Sequence, residues 1–125
     1  MLIRIDADSQ RPLFEQVAAS VRADILTGAL GPGDRLPSAR EVADALDINL
    51  HTVLHAYQQL RDERLVDLRR GRGATVAASA APLVDLAKEV ADLVARAGEL
   101  GVSAETLAAI VTSAVPIDRR PEERP

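Results

Sequence analysis

The chain has 125 residues, 47% of them hydrophobic, and a formal net charge of −4. That is length for one compact domain with a small appendage, and too much apolar content for global disorder. Zero cysteines exclude disulfides, thiolate nucleophiles and cysteine-ligated zinc. No apolar run approaches the roughly 18–20 residues of a membrane helix, and the N-terminus lacks the basic-then-apolar order of a signal peptide, so a cytoplasmic protein is expected. With one Phe, one Tyr and no Trp, the core must be built from Leu, Val, Ile and Ala.

The first expected element is a helix opening near Pro12, with Phe14, Val17, Ala18, Val21 and Ile25 at helical spacing and Gly28 marking its end. Its periodic apolar face gives it a structural role. The loop Gly31-Pro32-Gly33-Asp34 then reverses the chain, and Arg35-Leu36 offers a short strand.

A second helix is expected to begin at Ser38. In Ser38-Ala39-Arg40-Glu41 the cap hydroxyl and the Glu three residues on can satisfy each other's backbone donors, and Pro37 stops the preceding segment from running in. Ala39, Val42 and Leu46 share one side and Arg40 falls opposite, free to reach outward. After the turn Asp47-Ile48, Asn49 caps a third helix that carries Val53, Tyr57 and Leu60 at core spacing and His51, His55 and Gln58 on the other face. In a helix-turn-helix the start of the second helix enters the major groove, which makes His51, Thr52 and His55 candidates for contact with bases and phosphates.

Next come Leu65-Val66-Asp67-Leu68-Arg69 and Ala74-Thr75-Val76-Ala77, short and partly β-branched runs either side of Arg70-Gly71-Arg72-Gly73. They predict a hairpin whose glycines permit the turn and whose arginines aim positive charge at a phosphate backbone or minor groove. A solvated turn is the plainer alternative for this motif taken alone. Together the elements predict a mostly α fold with a small β-hairpin: a winged helix-turn-helix over residues 1–78.

Several spaced motifs, in order, carry a resemblance: Pro12-Leu13-Phe14-Glu15-Gln16-Val17, the run from Gly28 to Ala43, Thr52-Val53, Ala56-Tyr57-Gln58-Gln59-Leu60 and Arg70-Gly71-Arg72-Gly73. They resemble the N-terminal domain of the GntR family of bacterial transcription regulators across nearly all of residues 1–78. The resemblance implies DNA contacts at Arg40, at Leu50, His51 and Thr52 opening the recognition helix, and at Arg70 and Gly71 of the wing. The chain departs from the pattern at Asn49-Leu50, where many members have Ser-Arg. Asn49 still caps; Leu50 cannot donate a hydrogen bond, which leaves it to touch a thymine methyl or to complete the core. The candidate DNA-binding set is therefore Arg40, Asn49, Leu50, His51, Thr52, His55, Arg70, Gly71 and Arg72.

From Pro82 a further helix is expected, with Leu83, Leu86, Ala87, Val90, Leu93, Val94 and Ala97 on one face and Gly98 ending it. Ser103 caps another, with Leu107, Ile110, Val111 and Ala114 on one side, until Pro116. Two amphipathic helices this short cannot bury both faces alone, so residues 83–115 are expected to form a homodimer interface rather than fold back on the winged domain. The segment 79–115 is read as a helical dimerisation segment and residues 116–125, charged and Pro-bearing, as a disordered tail. So short a C-terminal segment is similar to the YtrA-like subfamily, which implies a dimeric repressor near transporter genes. The basic cluster Arg61, Arg64, Arg69, Arg70 and Arg72 against the later Asp85, Glu89, Asp92, Glu99 and Glu105 fits a DNA-facing side and an acidic far side despite the net charge.

Other classes fare worse. His51 and His55 have metal-ligand spacing on a helix, but no Cys or third His completes a site, and Ser38 has no base to make it a nucleophile, so neither metal, cofactor nor catalysis is expected. A winged helix used for protein docking would need an apolar patch where this chain has His51, His55, Gln58 and Arg70. The expected function is that of a sequence-specific regulator of double-stranded DNA, a dimeric repressor at an inverted repeat.

Overall fold

The computed structural model of the chain describes residues 2–70 and 73–115. It contains α1 (Leu13–Leu26), α2 (Ala39–Leu46), α3 (Leu50–Asp62), β1 (Val66–Arg69), β2 (Gly73–Val76), α4 (Ala80–Glu99) and α5 (Ala104–Ala114). Gly71, Arg72 and the expected tail from Pro116 lie outside the described residues. Two compact units divide at Ala87 and Lys88. The described fold is mostly α with one two-stranded hairpin, a winged helix-turn-helix followed by two further helices.

In the first unit the periodic positions go inside. Val17, Val21 and Ile25 of α1 meet Val53, Ala56 and Leu60 of α3, all 0% exposed, with Val42 of α2 and Val66 and Val76 of the hairpin. Each fully buried Val, Ile or Leu side chain contributes on the order of 1.5–3 kcal/mol relative to exposure. The hairpin is antiparallel, pairing Val66 with Val76 and Arg69 with Gly73. Residues 33–36 line its other edge: Leu36 N–H donates to the Ala74 carbonyl at 2.9 Å and Val76 N–H to the Asp34 carbonyl at 2.8 Å, with Arg35 opposite Thr75. The short strand expected at Arg35-Leu36 is thus present as a bridge.

Side chains the periodicity treats as surface also hold the unit. Gln16 is buried; its carbonyl accepts from Asp6 N–H at 2.6 Å and its amide donates to the Arg11 carbonyl at 3.0 Å, tying the N-terminal segment to α1. Arg22 of α1 grips Glu63, at the end of α3, through two bonds of 2.8 Å. Those donors hold the Glu63 carboxyl below its usual range.

Helix ends follow backbone chemistry. Ser38 and Glu41 form the reciprocal cap, Glu41 N–H donating to Ser38 Oγ at 3.0 Å and Ser38 N–H to Glu41 Oε1 at 2.8 Å. Asp47 closes α2 and Arg64 follows α3 in the left-handed region, at φ 55° and 70°. In both places the next residue bonds five back, Ile48 N–H to Ala43 and Leu65 N–H to Leu60, so orphan carbonyls are satisfied.

In α4 the expected stop at Gly98 is incorrect. The helix runs through Gly98 to Glu99, and Gly101 at φ 77° provides the left-handed residue, with Val102 N–H donating to the Ala97 carbonyl at 2.8 Å. Pro82 is not the first residue either: α4 opens two residues earlier, where Ala80 is fully buried in the first unit's core and Leu83 packs against it. Ser103 caps α5 by accepting from Thr106 N–H.

Candidate nucleic-acid interface

The turn between α2 and α3 joins the helix that carries Arg40 to the one that carries Leu50, His51, Thr52 and His55. Arg40 is the second residue of α2 and exposed. Asn49 spends its side chain on the helix start, accepting from His51 N–H at 2.7 Å, and so positions the opening turn. His51 is exposed and Thr52 half-buried. Leu50 is half-buried and packed against the core, so its side chain completes the fold.

His55 is more engaged than its place on the outer face suggests. Its ring stacks on Phe14 of α1, with centroids 3.8 Å apart and planes 14° from parallel. It is still exposed, but its orientation is set by α1. The remaining outward stripe of α3 is His51, Leu54 and Gln58.

Between that stripe and the wing lies a groove of about 690 Å³ lined by Ser38, Leu54, Gln58, Leu68, Arg69 and Arg70, among others. Arg69 and Arg70 are exposed at the end of β1 and place positive charge at its rim. The proposed contacts Gly71 and Arg72 lie outside the described residues. Leu54, Gln58 and Arg69 were missing from the candidate set. Gln58 and Arg69 carried visible signals, an outer-face position and a basic cluster. Leu54 carried none, because a leucine about 100° from Val53 reads as the margin of the core stripe.

Tyr57 fixes how the walls of this groove meet. Its hydroxyl donates to the Pro37 carbonyl at 2.7 Å, linking the middle of α3 to the residue preceding the α2 cap. Burial, and secondarily the Glu41 charge, push its phenol above the ordinary range, so it stays a neutral donor. The hydrogen bonds from Ser38 hold the Glu41 carboxyl below its usual range, keeping a negative charge at the α2 N-terminus that complements the helix dipole.

Among the described residues no group of three or more His, Cys, Asp or Glu is placed to hold a metal, and no helix is long and apolar enough to cross a membrane. His51 and His55 lie on α3 without a third ligand, and the Phe14 stack occupies one face of the His55 ring.

Comparison with known proteins places these features in a family. Residues 13–76 match the model of the bacterial regulatory proteins of the gntR family. The HTH-type transcriptional repressor YtrA of Bacillus subtilis is 38% identical over 79 residues, 63% of this chain and 61% of that protein. The uncharacterized HTH-type transcriptional regulator YhcF of the same organism is 33% identical over 105 residues, 79% of this chain and 86% of its own length. Among solved structures, YtrA from Sulfolobus acidocaldarius, a GntR-family transcription factor, superposes with a TM-score of 0.58 at 34% identity, covering 73% of this chain and 99% of that one. The chain spans about three-fifths of the length of the curated relatives it matches first. Matching motifs, matching fold and a family model that covers half of its residues together mean that this chain belongs to the gntR family of bacterial regulatory proteins.

Proposed function

We propose that the chain is a sequence-specific transcriptional regulator that binds double-stranded DNA as a homodimer and represses from an inverted repeat. The observation that carries the reading is the groove between the start of α2, the outer stripe of α3 and the wing, whose rim carries Arg69 and Arg70. Size supports it: α3 has 13 residues, about 20 Å of helix, and a helix of roughly 10–12 Å diameter fits a major groove about 12 Å wide. Arg40, His51 and Thr52 with Gln58 meet the groove, His55 lies beside them with its ring held by Phe14, Asn49 and Leu50 set the helix start, and Arg70, Gly71 and Arg72 approach the backbone or minor groove. The relatives named as transcriptional regulators support the same role.

The domain division proposed is a winged unit over 1–78 and a dimerisation segment over 79–115. Among the described residues, eight of the ten exposed large apolar side chains lie from Leu86 onward, including Val90 at 49%, Leu93 at 44%, Ile110 at 53% and Val111 at 53%. Leu86, Val90, Leu93 and Val94 share one face of α4 at helical spacing, which a second copy covers in a two-fold dimer. The dimer then presents two α3 helices to major grooves one turn apart.

The test is binding of the purified full chain to a labelled duplex from its own upstream region, against unrelated competitor and across a salt series. Preference over competitor, two-fold protection and affinity falling with salt are expected. Equal affinity for competitor would reject the operator-binding role.

A further inference from the structure

Resting on that DNA-binding reading, we infer that Leu54 is a base-reading residue and that the operator carries a thymine whose methyl group it covers in each half-site. Three large apolar side chains of the first unit are exposed among the described residues, Leu2, Leu54 and, on α4, Leu86. Leu2 belongs to the N-terminal segment, whereas Leu54, 38% exposed, stands on α3 in the groove beside Gln58, Arg69 and Arg70. It is the fifth residue of the helix, within the opening turns that enter a major groove.

Its neighbours leave it that role. Leu50, one turn earlier, is taken up by the core, and His55 is turned toward Phe14 by the ring stack. Asn49 is spent on capping. No arginine or lysine lies in α3 before Arg61, so the bidentate guanine contact that basic side chains make is absent from the helix's opening turns. What the stripe offers to base edges is an apolar surface at Leu54 flanked by the polar His51 and Gln58. The only apolar group that a base pair displays in the major groove is the thymine C5 methyl. Covering it removes apolar area from both partners, whereas a G·C pair there would set unpaired polar edges against the leucine.

The experiment starts from a pool of random duplexes selected for binding to the full-length protein. Each thymine of the enriched sequence is then replaced singly by deoxyuridine, which deletes the methyl and leaves base pairing intact. One position per half-site should lose about fourfold in affinity, the equivalent of one buried methyl-sized group. Leu54→Ala should bind the parent sequence more weakly yet show no loss at that position, and Leu54→Met should retain the loss. Because Leu54 is exposed, the alanine variant is expected to unfold at the wild-type temperature, which a melting curve checks. Uniform indifference to methyl removal, or an unchanged methyl effect in Leu54→Ala, would overturn the assignment while leaving sequence-specific binding intact. Failure of the pool to enrich at all would overturn the DNA-binding reading itself and the assignment with it.

Discussion

Removing a single oxygen from Tyr57 tests how the groove is held. In Tyr57→Phe the ring, 3% exposed in the wild type, keeps its packing, and only the 2.7 Å hydrogen bond to the Pro37 carbonyl is lost. A net hydrogen bond contributes about 0.5–1.5 kcal/mol, and a carbonyl left buried and unpaired costs about 1–3. Pro37 is half-buried, so water reaches the freed carbonyl in part and the loss should sit near 1 kcal/mol. For a cooperative unit of this size that lowers the melting temperature by about 4–8 °C. Urea unfolding at one fixed protein concentration should show a lower midpoint with an unchanged slope, the fixed concentration removing any contribution from association. Alkali supplies a second reading. The phenol's pKa is raised by folding, so its contribution is fully present below the unfolded value of about 10 and fades as pH climbs beyond it. Wild type should therefore lose stability above pH 10 more steeply than Tyr57→Phe. Equal midpoints at neutral pH would refute the argument that this bond closes the groove, and parallel alkaline profiles would refute the burial of the phenol.

Arg40→Ala and Arg70→Ala should each weaken DNA binding without changing the melting curve and reduce the slope of log affinity against log salt by about 0.9, as expected for one lost phosphate contact; unaltered slopes in both would remove them from the interface. The Glu63 carboxyl, held low chiefly by Arg22, contributes stability that is present above its unfolded pKa of about 4.3 and lost as pH falls through the lower folded value. Arg22→Ala should flatten that acid limb, which pH-dependent urea midpoints would reveal. Arg64 sits at φ 70°, a conformation costly to a side chain, so Arg64→Gly is expected to raise stability by about 1 kcal/mol in the same assay. Leu93→Asp places a charge in the apolar face of α4 and should shift the chain toward monomer in analytical ultracentrifugation at micromolar concentration; a persistent dimer would place the interface elsewhere.

Local chemistry made much of this molecule legible from its residues. The Ser38–Glu41 cap, the Asn49 cap, the apolar rows of α1 and α3 and the hairpin after Leu65 each rest on neighbours within a few positions, where spacing and residue type suffice. The same locality misled at Gly98. A glycine in a helical pattern can be an ending or simply a tolerated residue, and the left-handed turn went to Gly101 because Val102 could then close back on Ala97.

Spacing and residue type thus settle which segments form helices and hairpin, and that the family's DNA-binding pattern is present. Tertiary structure alone decided which side chains are free. Leu50 and Leu54 are both leucines one turn apart, yet the first packs half-buried against the core and the second stands exposed in the groove, because the neighbouring elements decide where the buried stripe of α3 ends. His55 looked as free as His51 until Phe14, 41 positions earlier, was placed against it. Gln16 and Glu63 likewise acquire their partners only when distant segments meet. Helical periodicity specifies direction around one axis; it carries no information about what another element brings to that side.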